Sequence, residues 1–319
     1  MPRIGETPGS WRVRHDRIPP ELVEILYSTS RELAAKGSGP VSVARQLSVA
    51  YSLNVAPGTV RHWIVGDRKP EYNTRRENIF KHEPSRALSY IIGTNIGDGC
   101  TLTRNWCVKL EVTDFDFAST FNYNMAILFS RTSPNKILTR NEVGRLPMYV
   151  VKYSSKQLTK LLRLPLRKLL ELAFAFPREF LRGFFDVEGH VDVGAKRSFG
   201  PAAGAENSDR TLLAKVRLLL RREFGIRPRI NKRRESGSRK VIRGKSFRMR
   251  RTSYSLIIRR LEDLKEFDRL VGFSIRRKDQ KLKDALAILQ KYGRKVASIE
   301  WAKLYLKENG EWVRRIRRS

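Results

Sequence analysis

Two acidic residues, Asp98 and Glu188, stand near the ends of two similar apolar segments and could together cut phosphodiester bonds. The segments are 91–99 (IIGTNIGDG) and 181–189 (LRGFFDVEG), and the separation from the central glycine to the acid is the same in both. Such self-similarity is typical of an internal structural repeat. Two carboxylates brought together can bind a hard divalent cation such as Mg²⁺, which activates water and stabilises a leaving oxygen. The pattern therefore predicts a paired site that cuts each strand of a duplex once.

Glycines explain how the two segments could bring their acids together. Gly93 and Gly183 remove side-chain bulk where two helices would cross, and Gly97 extends this seam on the first helix. Val187 stands opposite Gly97 in the second copy, so we expect an asymmetric crossing. Asp186 is a second acid within the later segment, but its counterpart in the first is Ile96, so we treat it only as a supporting residue.

The charge of the chain points to nucleic acid as the partner. The 319 residues carry 65 Lys and Arg against 32 Asp and Glu, which gives a formal net charge of +33. A polyanion compensates such self-repulsion. No apolar run approaches the roughly 20 residues that a membrane helix needs, and no signal peptide is evident, so we expect a cytoplasmic protein without a membrane partner. Cys100 and Cys107 lack the spacing of a zinc site.

The elements that would position the acids form two similar series. Residues 84–176 and 177–290 each predict the order αββαββα, including one continuous helix over 156–172. In the first half Val108 and Leu110 alternate with Lys109, so that one sheet face is apolar and the other polar. The fold class is therefore α+β, with two pseudosymmetric halves that each contain an antiparallel sheet.

The ends of the chain have a different character from the two halves. Residues 1–18 predict a flexible basic arm, 71–83 a linker, and 291–319 a C-terminal helix with a basic tail. Residues 19–70 predict a small all-α domain that resembles a helix-turn-helix. Its helices are expected at 20–35, 41–49 and 59–65, with Arg61 and His62 on the polar side of the recognition helix. The alternative is a small helical bundle that merely packs on the next domain.

The two glycine-acid segments resemble the signature helices of single-chain LAGLIDADG homing endonucleases. The resemblance covers about 84–290, and the stretches 149–162, 253–267 and 272–282 are similar to archaeal members of that family. It implies that the antiparallel sheets of the two halves form one DNA-binding saddle. It also implies an intron-encoded, sequence-specific DNA endonuclease that works as a monomer with Mg²⁺ or Mn²⁺. The target would be a long, pseudo-palindromic or asymmetric double-stranded site. The resemblance also implies that Asp98 and Glu188 are catalytic and bind the metal together with Gly97 and Val187.

Basic side chains near the two acids are candidates for DNA binding. The stretch from Arg210 to Arg260 contains 19 Lys and Arg residues but only two acidic ones, which suits a surface that follows phosphates. Within it, residues 227–258 predict a long β-ribbon that could enter a major groove. The candidates are Arg104, Lys109, Lys196, Arg197, Arg229, Lys232, Arg233, Arg248 and Arg250.

A non-catalytic binder on the same scaffold is the alternative function. Such a protein would be a transcription regulator that reads DNA with its N-terminal helices, or a maturase with intron RNA as its partner. The retained acid pair argues against this reading, because a pure binder gains nothing from carboxylates aimed at phosphates. Fold alone does not decide between the two.

Overall fold

The computed structural model describes residues 20–66, 83–97, 100–102, 106–144, 146–194, 199–242, 245–308 and 311–315. The chain divides into two compact units, Met1–Glu77 and Asn78–Ser319. The predicted arm over 1–18 and the predicted linker over 71–83 lie outside the described residues, except that Glu83 is described. Among the described residues, no helix is both long and apolar enough to cross a membrane.

Three helices make up the described part of the first unit. They are α1 (Pro20–Ala35), α2 (Pro40–Ala50) and α3 (Pro57–Val65). Pro40 and Pro57 begin their helices, where the missing N–H of proline costs nothing. Gly66 ends α3 in the left-handed conformation, with a φ of 79°. Leu26, Leu47, Val60 and Trp63 are among the buried residues of a core that belongs to this unit alone.

The second unit contains two halves with the same topology. The first half comprises α4 (Arg86–Ile96), β1 (Cys100–Leu102), β2 (Cys107–Val112), α5 (Phe115–Leu128), β3 (Leu138–Arg140), β4 (Met148–Ser154), α6 (Lys156–Leu161) and α7 (Leu166–Ala173). The second comprises α8 (Pro177–Glu188), β5 (Gly189–Gly194), β6 (Gly200–Asn207), α9 (Arg210–Phe224), β7 (Arg229–Arg234), β8 (Arg239–Ile242), β9 (Lys245–Arg248), β10 (Ser253–Ile258) and α10 (Leu261–Leu270). The antiparallel sheets run β1-β2-β4-β3 and β5-β6-β10-β7. Both orders place the fourth long strand between the second and the third, so the predicted α+β repeat is confirmed.

The strands bury one face, as their alternation predicts. Val108 and Leu110 of β2 are buried, whereas Lys109 between them is partly exposed. In β5, Val191 and Val193 are buried and Asp192 is exposed. The apolar faces of both sheets join the motif helices α4 and α8 in one hydrophobic core.

The helix expected over 156–172 is in fact two helices, so this expectation is wrong. It ends at Leu161, and α7 starts after Pro165, whose backbone is extended with φ −51° and ψ 143°. Proline has no N–H to donate and disfavours the helical conformation of the residue before it. Two short helices therefore take the place of one.

The C-terminal segment departs from its expectation at its end. Helix α11 (Arg276–Leu304) is interrupted at Gly293, which has φ 65° and ψ 171°, and its part after this kink lies where the C-terminal helix is expected. A hairpin of β11 (Tyr305–Glu308) and β12 (Glu311–Arg314) follows, where a basic tail was expected. Aromatic packing stabilises the hairpin, since the ring of Trp301 stacks on Tyr305 at a centroid distance of 3.9 Å.

The predicted β-ribbon is present in two parts. Strand β7 pairs with β10 inside the sheet, while β8 and β9 pair only with each other. Between the two parts, Gly237 N–H donates to the Met249 carbonyl at 2.8 Å, and Met249 N–H donates to the Ser238 carbonyl at the same distance. The hairpin of β8 and β9 thus extends the β7–β10 pair beyond the edge of the sheet.

Candidate functional site

The two motif helices α4 and α8 cross with their backbones in contact. A Cβ atom added to Gly93 would lie 2.2 Å from the Phe180 carbonyl oxygen, and one added to Gly183 would lie 2.3 Å from the Tyr90 carbonyl oxygen. Real Cβ atoms do not approach so closely, so a side chain at either position would push the helices apart. The crossing is buried, and Phe184 beside it is fully enclosed.

The C-terminal ends of the two helices meet beyond this crossing. Helix α4 ends at Ile96, and a Cβ atom added to the following Gly97 would lie 2.3 Å from Val187 Cγ1 and 3.2 Å from Glu188 Cγ. The valine thus fills the space opposite the glycine, and the crossing is asymmetric at this level. Asp98, the first predicted catalytic acid, lies outside the described residues.

Glu188 is the last residue of α8 and is oriented by the neighbouring strand. Its side chain is half-buried, and Asn207 at the end of β6 donates a hydrogen bond from Nδ2 to Glu188 Oε1 at 2.8 Å. Sequence reasoning did not identify Asn207, because the contact depends on how β6 lies beside α8. An ionised carboxylate suits Mg²⁺ or Mn²⁺, which prefer oxygen ligands. Across the described stretches, no three His, Cys, Asp or Glu side chains cluster to bind a metal.

Asp186 is the centre of a buried hydrogen-bond network and lies only two residues before Glu188. Tyr90 on α4 donates its hydroxyl proton to Asp186 Oδ2 at 2.8 Å, and Ser274 N–H donates to Oδ1 at 2.8 Å. The Ser274 hydroxyl also donates to Oδ2. Burial raises the pKa of the Asp186 carboxyl, and these hydrogen bonds oppose the shift. The acid therefore ties the two motif helices to the segment that precedes α11.

Lys278 on α11 donates hydrogen bonds to backbone carbonyls in the last turn of α8. Its Nζ donates to the Asp186 carbonyl at 2.7 Å and to the Phe185 carbonyl at 3.4 Å. An ammonium group is favourable here, because the final carbonyls of a helix lack partners and carry partial negative charge. Burial lowers the pKa of Lys278 to about 8, while the charge of Asp186 opposes that shift. This lysine lies within the stretch 272–282 that resembles the family, but nothing in the sequence indicates its contact with α8.

His190 lies on the polar face of the second sheet, directly after Glu188 and Gly189. A Cβ atom added to Gly204 on the paired strand would lie 3.1 Å from His190 Nε2, so the imidazole covers that glycine. Burial lowers the pKa of His190, and the carboxylate of Glu206 opposes the shift. The imidazole is therefore a half-buried part of the surface beside the candidate site.

Several predicted DNA-binding residues are paired with carboxylates. Lys109 pairs with Glu111, which lowers the pKa of that acid, and Arg233 contacts Glu206 at 2.9 Å. Lys232 pairs with Glu235.

The remaining candidates are distributed over both units. Arg229, Arg248 and Arg250 are exposed on or beside the ribbon, whereas Arg61 is exposed and His62 half-exposed on α3 in the first unit. Arg104, Lys196 and Arg197 lie outside the described residues.

A model of a known protein family matches part of the second half. Residues 175–272 match the model of the LAGLIDADG-like domain. This segment contains α8 with Glu188 and runs through the second sheet to the end of α10. One curated protein, the uncharacterized protein MJ0398 of Methanocaldococcus jannaschii, is 26% identical over 276 residues, which cover 85% of this chain and 96% of that protein.

Two solved structures are among those to which the chain is similar. The complex of I-DmoI with DNA and Mn is 18% identical with a TM-score of 0.39, and the match covers 58% of this chain and 96% of that one. Full-length DUF199/WhiA from Thermatoga maritima is 16% identical with a TM-score of 0.41, and the match covers 71% of this chain and 68% of that one.

Proposed function

We propose that this protein is a sequence-specific, metal-dependent endonuclease for double-stranded DNA, with Asp98 and Glu188 as its catalytic acids. The observation that carries the proposal is the meeting of the two helix ends, where Gly97 lies against Val187 and the Glu188 side chain. Asp98 follows Gly97 in the chain, and a trans peptide keeps successive Cα atoms about 3.8 Å apart. We therefore expect the Asp98 carboxylate to lie near that of Glu188.

The residues at the helix ends suit a divalent metal. The carboxylates of Asp98 and Glu188, with backbone oxygens of Gly97 and Val187, would hold Mg²⁺ or Mn²⁺. When bound, such an ion lowers the pKa of water for attack on a phosphodiester and stabilises the leaving oxygen. The hydrogen bond from Asn207 orients the Glu188 carboxylate.

The basic side chains of the polar sheet faces and of the ribbon would bind the DNA backbone. The net charge of +33 supports a polyanionic partner. We expect the sheets to form a saddle over a long target, with Arg229, Arg248 and Arg250 contacting phosphates on the side of the second half. We also propose that α2 and α3 act as a helix-turn-helix with Arg61 and His62 on its DNA side, and that the protein works as a monomer encoded by a mobile intron.

Selection of cleavage sites from a randomised DNA library tests the proposed activity. With Mg²⁺ or Mn²⁺, the full chain should enrich one long, pseudo-palindromic or asymmetric sequence among the cut ends, and a chelator should abolish cutting. The variant Glu171→Gln is a matched control, because this carboxylate is exposed on α7 and pairs only with Arg167 among the contacts described. Sequence-independent cutting, or cutting that survives chelation, would contradict the proposal.

A non-catalytic nucleic-acid binder remains the second candidate. The three-helix unit with its own buried core favours it, because such a unit could read DNA without any contribution from the acids. The alternative also includes a maturase that binds intron RNA. The affinities for a candidate intron RNA and for the DNA enriched in the cleavage selection, measured at the same salt concentration, distinguish a maturase from an endonuclease. Tighter binding to RNA together with absent cleavage would favour the maturase.

A further inference from the structure

A groove of about 660 Å³ lies over the polar face of the second sheet. Its floor is formed by β5, β6 and β10, and its walls by the first turns of α11 and by the C-terminal hairpin of β11 and β12. Val187 and Gly189 line one part of it, so the groove is continuous with the end of α8 where Glu188 is held. A strand that leaves the candidate cleavage site on this side would enter the groove.

The hairpin wall is firmly attached to the second half. Trp312 donates a hydrogen bond from Nε1 to the Val193 carbonyl at 3.1 Å. The Trp312 side chain thus covers the outer edge of β5, the first strand of its sheet. Tyr305 donates its hydroxyl proton to Asp284 at 2.8 Å, and Arg314 contacts the same carboxylate at 3.2 Å. The hairpin is therefore a structured wall that keeps its basic side chains at the rim of the groove.

The charge of the groove suits an anion. Six basic side chains line it against two carboxylates, Asp192 and Glu206; the basic residues are Arg233, Arg259, Arg277, Lys278, Lys281 and Arg314. The excess of positive charge remains when two carboxylates outside the lining are included. These are Asp114, which contacts Arg277, and Asp284, which contacts Arg314. Arg259 and Arg314 are exposed, and Lys281 is half-exposed.

The floor of the groove has a small side chain at Ala202 and an imidazole beside it. The His190 ring lines the groove and covers Gly204 on the same face of the sheet. Trp312 is half-buried in the opposite wall, whereas Tyr305 is only 3% exposed. The basic rim would therefore contact the phosphates of a duplex, whose bases stay paired inside it.

We propose that α11 and the C-terminal hairpin form an additional wall for the target DNA and hold the flank beyond the cut on the side of the second half. Arg259, Lys281 and Arg314 contact the phosphates of this flank. The inference rests on the proposed function for the identity of the target, but the contact itself does not require cleavage.

Binding of a mixed-sequence DNA duplex by the full chain, measured over a salt series without divalent metal, tests the inference. The double variant Lys281→Ala/Arg314→Ala should bind more weakly, and the slope of log Kobs against log[salt] should fall by about 2, since each lost phosphate contact removes about 1. The variant Arg259→Ala should lower the slope by about 1. The control is Arg217→Ala/Arg221→Ala, which removes two exposed arginines of α9 outside the groove and should leave the slope unchanged.

The outcomes separate this inference from the proposed function. Lower slopes in the groove variants support the wall even if no cleavage is found. If the protein cuts a selected target, the footprint of these variants on that target should also shorten on one side. Unchanged slopes overturn the inference even if the protein cuts DNA. Saturable binding of a free mononucleotide in the groove, with duplex binding unaffected by the variants, would also overturn it. Thermal unfolding of each variant checks that the fold is retained.

Discussion

Asp186 and Glu188 lie two residues apart on α8 but have different surroundings. Asp186 is enclosed and accepts three hydrogen bonds from Tyr90 and Ser274, so it links elements inside the protein. Glu188 is half-buried at the helix end and accepts a hydrogen bond from Asn207. The buried acid therefore fits a structural role, and the acid at the helix end fits contact with a metal and a phosphate.

The buried Lys278 should make stability depend on pH. Because its folded pKa of about 8 lies below its ordinary value of 10.5, the unfolded chain binds the additional proton between these values. The free energy of unfolding should therefore rise with pH across this window, by at most about 1.4 kcal/mol per pH unit. Urea denaturation from pH 7.5 to 10.5 should show this rise in the native chain and its loss in Lys278→Met.

The half-exposed Lys265 on α10 provides the control for this measurement. Lys265→Met removes a lysine without opening a buried site and should reproduce the profile of the native chain. Identical profiles for the native chain and Lys278→Met would show that Lys278 is not the source of the pH dependence.

At the residue scale, the sequence identifies groups that repeat but not groups that act through distant contacts. Asp98, Glu188 and the crossing glycines are recognisable because each occupies the same place in both copies. Asn207 and Lys278 have no such signal, since their partners on α8 are far away in the chain. Only the packing of β6 and α11 against the end of α8 brings them there.

At the element scale, the helix crossing depends on the absence of two side chains. Gly93→Ala or Gly183→Ala would drive a methyl group into the backbone of the opposite helix. We expect a cost at or above the roughly 1–3 kcal/mol of ordinary overpacking, and a fall in Tm of the second unit by several degrees. Differential scanning calorimetry measures the shift.

Gly200→Ala is the matched control for these glycine variants. It lies in β6 with nothing within 4 Å of the added Cβ atom and without a positive φ. This variant should keep the Tm of the native chain or raise it slightly. An equal loss of stability in all three variants would contradict the close crossing.

Local sequence signals predict most helices and strands, but not the break between α6 and α7 or the hairpin after α11. Asp209 caps the start of α9 and Gly225 ends it in the left-handed conformation, and both residue types are typical of these positions. The break at Pro165 was missed because the apolar period continues on both sides of it. The hairpin after α11 was missed because Trp312 and Tyr305 are stabilised by distant partners, Val193 and Asp284.

At the scale of the whole molecule, the two units have separate cores. The buried cluster around Trp63 shares no residue with the core of the two halves. Trp63→Ala should cost about 3–5 kcal/mol, enough to unfold a small three-helix unit while the unfolding transition of the second unit stays in place. Calorimetry of the full chain measures both transitions.

Val65→Ala on the same helix is the control for this experiment, because this side chain is 70% exposed. It should leave both transitions unchanged. A joint shift of the two transitions in Trp63→Ala would mean that the units unfold as one. The sequence predicts the existence of these two regions from composition and periodicity, whereas their independence follows only from the separate cores.

The central claim is that the crossing of α4 and α8 joins Asp98 and Glu188 in one metal-dependent cleavage site. Its most direct test is single-turnover cleavage of a supercoiled plasmid that carries the selected target, with Mg²⁺ present. The native chain and Glu171→Gln should produce linear DNA. Asp98→Asn and Glu188→Gln should bind the target with nearly native affinity and produce none. Linear product at the native rate in both of these variants would contradict the claim.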